Sequence, residues 1–197
     1  MTAQISSKVL IDKDVYSLVG VRGTGLFDPL KLGLEPVPPS TGCWDGYFCE
    51  YLLKENKLLL QNLFINLGAG MLSVEMPQIG PEINGVKPAV GTLKNLSFNN
   101  YYANLNLPIS YTGGLLIATG FIRKLYVHMG YHPAWKYEIV KELLLKAGSV
   151  IEIRDVSEPM RKKRSEMKKQ SLDPEHLANN EEFEKWVEGC FNLDYAL

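Results

Sequence analysis

The stretch from Gly46 to Leu67, GYFCEYLLKENKLLLQNLFINL, constrains the fold more than any other part of the chain. Two apolar runs flank Glu55-Asn56, and asparagine tolerates the positive φ that a two-residue hairpin turn demands. The spacing predicts a hairpin in which Gly46 to Lys54 pairs with Lys57 to Leu67. One face of its first strand would carry Phe48, Glu50 and Leu52, the other Tyr47, Cys49, Tyr51 and Leu53. A strand largely apolar on both faces needs cover on both, so the hairpin belongs inside a sandwich or barrel, or beneath a helix.

The surrounding sequence reads the same way. Val15 to Arg22 is rich in β-branched and aromatic residues and is closed by the turn residues of GTGLFDP. Three prolines within four positions (Pro36, Pro38, Pro39) then exclude helix and central strand and predict a long loop. A second irregular stretch, residues 68 to 91, is broken by Pro77, Pro81 and Pro88; loops of that length in compact domains are often functional. Alternation returns in NYYANLNLPIS, and LLIATGFIRKLYVH reads as a strand ending near His128. The segment 137 to 156 combines a helix-compatible spacing with Ala147-Gly148-Ser149 between apolar runs; the strand character of VIEIRDV favours a hairpin.

From Ser157 the composition changes. SEPMRKKRSEMKKQ opens on a serine N-cap with proline in the first turn, followed by strong helix formers. DPEHLANNEEFEKWVEGCFN offers Asp173 as a second cap and Phe183, Trp186, Val187 and Cys190 at helical spacing. The expected fold is therefore α+β: a mostly antiparallel β sandwich or partly closed barrel in a core domain spanning 1–156, then two C-terminal helices in a segment 157–197 that packs on or extends from it. A chain of 197 residues with 46% hydrophobic and 22% charged residues is long and apolar enough for one sizeable core.

Several function classes lose their footing here. A net charge of −1 supplies no global field toward nucleic acid or an anionic membrane. Asp12 and Asp14 interrupt any signal-like apolar run, and no stretch approaches the roughly 20 residues that span a bilayer, so the expectation is a cytoplasmic protein without a membrane segment. Cys43, Cys49 and Cys190 read as free thiols in a reducing compartment, and no metal ligand set or cofactor motif stands in the chain. GVRGTG at 20 to 25 misses the dinucleotide spacing and reads as a turn.

The histidines raise a sharper question. His128 and His132 are four apart, the helical spacing of a chelating pair, but Gly130 lies between them and Pro133 pushes His132 toward extended dihedrals. In an extended chain their Cα atoms would stand about 13 Å apart, beyond a common metal. What remains is a pocket histidine with acid/base work, His128 or His132 approached by Asp45, Glu50 or Asp155, in a site walled by Tyr111, Tyr131 and Trp135 with Arg22 available. A small enzyme or ligand-binding barrel of that kind is the second reading.

The first reading is a non-catalytic binding protein that engages a protein partner through aromatic loops and its charged C-terminal helices. Between Arg161 and Lys169 six basic residues (Arg161, Lys162, Lys163, Arg164, Lys168, Lys169) face one glutamate, and between Asp173 and Asp194 seven acidic residues face one lysine. The basic run suits an acidic protein partner. Weak nucleic-acid binding ranks third, because the run lacks interleaved aromatics and adjoins acidic sequence.

Overall fold

The computed structural model describes residues 2–73, 75–90, 98–169 and 190–195. They form ten strands and one α-helix: β1 (Lys8–Ile11), β2 (Asp14–Thr24), β3 (Tyr47–Lys54), β4 (Lys57–Ile65), β5 (Ala89–Val90), β6 (Asn100–Tyr102), β7 (Leu107–Pro108), β8 (Thr112–Phe121), β9 (Tyr137–Lys146), β10 (Ser149–Asp155) and α1 (Ser157–Lys169). Seven strands close a barrel in the order β10-β9-β8-β2-β1-β3-β4, with β4 returning to β10. All neighbours are antiparallel except β1 and β3. The short strands β6 and β7 lie along β4, and β5 lies on β6.

Turn chemistry builds this architecture. Glu55 and Asn56 take φ of 50° and 60°, the pair of left-handed residues that lets β3 fold back on β4 with the right strand twist. Ala147 and Gly148 do the same between β9 and β10, so the 137–156 segment is the hairpin its sequence favours. Gly148 has no substitute there, since a Cβ on it would lie 2.2 Å from the carbonyl oxygen of Ile109. That turn is also the seam of the barrel. Gly148 accepts the Leu58 N–H at 2.9 Å, Val150 donates to Asn56 at 2.7 Å, and Ser149 sits opposite Lys57.

The interior is filled by side chains. Leu58, Leu60, Leu63, Ile65, Leu115, Ile117 and Leu143 are all less than 2% exposed, together with Tyr51, Tyr102 and Tyr111. Each aliphatic group of this size contributes about 1.5–3 kcal/mol on burial. The tyrosines keep their hydroxyls satisfied: Tyr111 donates to Gly114 at 3.0 Å and Tyr102 to Pro81 at 2.8 Å. Outside the wall, α1 lays Met160 against Leu116, Ala118 and Val140. Asp155 starts the helix by accepting the Ser157 N–H at 2.8 Å, while Ser157 Oγ instead receives the Val140 N–H at 3.0 Å, so the cap lies two residues earlier than the sequence predicts.

Two other expectations change. The strand read through to His128 stops at Phe121, because its partner β9 begins at Tyr137 and leaves nothing beyond to pair. The alternation of 100–110 is split into β6 and β7, since Asn104 and Asn106 both adopt positive φ and take the chain out of the ladder. Among the described residues there is one α-helix, not two; the second expected helix, from Asp173, falls on 170–189, outside the described residues. No helix of the described residues is long and apolar enough to cross a membrane.

Candidate binding surface

The long loop that leaves β4 is built to a single shape at its base. Asn66 is 4% exposed; its side-chain amide donates to the carbonyls of Val37 and Ala69, while its backbone carbonyl accepts the Val37 N–H at 2.9 Å. Asn99 clasps Leu67 in both directions, accepting its N–H at 3.0 Å and donating to its carbonyl at 2.7 Å. Asn100, fully buried, accepts the Gly80 N–H at 2.8 Å and donates to Gln78 at 2.8 Å. Gly68, at φ +73°, brings the two arms together where a Cβ would meet the Met76 carbonyl at 2.3 Å. Three asparagines thus stand in for the ladder that a sheet would have supplied, each bonding two main-chain groups through its side chain.

The tip carried by that neck is apolar. Leu72, Met76 and Ile79 are 74, 80 and 71% exposed, and Met71 is 39% exposed. The proline-rich 34–46 segment runs beside it, joined through Pro36 opposite Leu67 and the Met71 N–H donated to Pro38 at 2.8 Å, and it exposes Trp44. Isolated exposed apolar residues are ordinary; four within nine positions of one hydrogen-bonded loop are more than that background supplies. Methionine suits such a surface because its thioether chain adapts to the shape it meets.

No family model, curated protein or solved structure matches this chain. Its residues must therefore speak for themselves.

The histidines do come near one another, through a tyrosine. The Tyr126 hydroxyl lies 2.9 Å from His128 Nδ1, and its ring meets the His132 ring edge-on at 5.2 Å. His132 stacks on Phe121 at 4.6 Å, and its buried Nδ1 has no hydrogen-bond partner among the described residues. Burial, aided by the charge of Lys136, pulls its pKa down to about 4. It is a neutral aromatic at physiological pH. The carboxylates expected to approach it are engaged elsewhere: Asp45 accepts the Tyr131 hydroxyl at 2.5 Å, Glu50 pairs with Lys8 at 3.2 Å and Asn62 at 2.8 Å, and Asp155 caps α1.

The other candidate residues scatter. Tyr111 belongs to the barrel core, and Trp135 packs in the outer layer beneath α1. Arg22 lies 5.1 Å over the ring of Tyr195 and 3.2 Å from Glu142, a carboxylate 1% exposed that also accepts the Tyr195 hydroxyl at 2.8 Å and faces Arg154 at 3.7 Å. That cluster clasps the segment 190–195, whose Leu193 carbonyl accepts the Val21 N–H at 2.8 Å. On α1, Arg161, Lys162 and Lys163 are exposed, but Arg164 turns inward and donates to the carbonyls of Trp135 and Tyr137 at 2.7 and 2.6 Å. Lys168 and Lys169 form the last turn of the helix. Cys43 and Cys49 are buried, and burial pushes both thiols up to about 12, so neither is a nucleophile at neutral pH.

Sequence reasoning marked the 68–91 loop by its length but missed Asn66, Asn99 and Asn100 as its clamp and Leu72, Met76 and Ile79 as its presented residues. The available signal was a set of large apolar residues inside a stretch whose glycines and prolines allow neither a long strand nor a helix to bury them.

Proposed function

We propose that this protein is a non-catalytic binding module whose filled barrel serves as a scaffold and whose asparagine-clamped loop, with Trp44 beside it, engages a partner protein. The observation that carries the reading is the exposure of Leu72, Met76 and Ile79 on a loop held at its base by the buried side chains of Asn66 and Asn100. Ordering a loop ahead of contact lowers what binding must later supply in lost entropy. The exposed lysines and arginine of α1 add a second, electrostatic element suited to an acidic partner and to faster encounter. The free thiols of Cys43 and Cys49, buried and unpaired, fit a reducing, cytoplasmic setting.

The test is affinity purification from the native cell with wild type and with the triple variant Leu72→Ser, Met76→Ser, Ile79→Ser. The variant keeps the clamp and the barrel, so its melting temperature should match that of wild type within a few degrees. Loss of the recovered partner together with an unchanged fold is the expected result; undiminished recovery overturns the reading.

A further inference from the structure

Among the described residues, the barrel leaves an edge of β10 open. Past the seam at Ser149, β10 runs beyond the tip of the β3–β4 hairpin at Glu55-Asn56: Ile151 is the extra residue of a bulge, Glu152 to Asp155 pair with β9 on one side, and on the other side 151–155 pair with nothing among the described residues. Among the described residues, Val150 is the last whose outward N–H is taken, by Asn56. The overhang is exposed throughout, with Ile151 and Ile153 at 65 and 48%. It carries neither lysine nor proline, two common means of blocking an edge; the bulge between Val150 and Glu152 and the charges of Glu152, Arg154 and Asp155 are its protection, and the charges lose their effect where a partner strand complements them. An open edge of this kind is a template for another strand.

We propose that the occupant is β10 of a second copy of this chain, paired antiparallel about a two-fold axis through Ile153. In a two-fold antiparallel pair one residue lies opposite its own counterpart, which leaves five choices along the overhang. Centring on Glu152, Arg154 or Asp155 would set identical charges face to face, and centring on Ile151 would need the edge of Ser149 and Val150 that β4 already occupies. Centring on Ile153 sets isoleucine against isoleucine. It also places Glu152 of each copy opposite Arg154 of the other, two complementary cross-strand pairs. Both side chains lie on the same face already, bonded to each other at 2.7 Å, and Arg154 stands on that face opposite Glu142. The register free both of like-charge repulsion and of overlap with β4 is the one that buries the exposed Ile153.

Sedimentation equilibrium of the full chain, from low to high micromolar concentration, reads the assembly directly. Wild type should approach twice the chain mass, and Ile153→Lys, which sets two ammonium groups opposite at the axis, should raise the dissociation constant about tenfold or more. Ile153→Cys should form a disulfide-linked dimer under mild oxidation, whereas Ile151→Cys, facing Asp155 of the second copy, should not. A monomer at all concentrations, a dimer indifferent to Ile153→Lys, or equal cross-linking from both cysteine variants would overturn the proposal.

Discussion

At the scale of single residues the chain spends its buried polar groups on closure. Glu142 is the clearest case: it lies under the wall of the barrel with Arg22, Arg154 and Tyr195 around it. The sequence hid this group, because a lone glutamate in KELLLK reads as a solvated strand position until the tail is folded over it. Tyr195→Phe removes a hydrogen bond to a charged acceptor and should lower stability by about 1.5 kcal/mol, read from urea unfolding, with faster amide exchange at Val21. His132 supplies a pH signature. Its pKa falls from an ordinary 6.5 to about 4 on folding, so the unfolded chain binds the extra proton between those values. The stability that the neutral ring contributes is complete above about pH 6.5 and is lost as pH falls toward 4. Melting temperatures of wild type and His132→Phe should therefore converge or cross between pH 7.5 and 4.5, the variant losing less; parallel curves would contradict the burial of an unpartnered Nδ1.

At the scale of elements, hairpins were legible and irregular connections were not. Glu55-Asn56 and Ala147-Gly148 stood out because turn residues interrupt strong apolar alternation on both sides. The end of β8 was not legible, since LYVH has ample β propensity and only the absence of a partner strand stops it at Phe121. The asparagine clamp escaped for a related reason: hydrogen bonds from Asn99 and Asn100 to residues 67, 78 and 80 join segments that no local pattern connects. Two predictions belong here. Glu55→Asn should stabilise the chain by about 0.5 kcal/mol, because asparagine bears φ of 50° at less strain than glutamate does. Asn100→Ala strands the Gly80 N–H and the Gln78 carbonyl in the interior and should cost about 3 kcal/mol, with proteolysis appearing first between residues 70 and 80.

At the scale of the whole molecule, a small closed barrel with a side-chain-filled interior leaves only its outer surface for any recognition. The barrel was foreshadowed by strands apolar on both faces; its closure was not, because a single antiparallel contact between Ser149 and Lys57 decides it. The two histidines that invite a catalytic reading are part of an aromatic cluster, while Leu72, Met76 and Ile79 of the loop and Arg161, Lys162 and Lys163 of α1 are exposed. Site-specific photo-cross-linking separates these surfaces most directly. With a photoreactive amino acid placed in turn at Leu72, Met76, Lys162 and His128, the account predicts one discrete protein adduct from positions 72 and 76. Adducts arising from position 128 or 162 alone, with none from the loop, would contradict it.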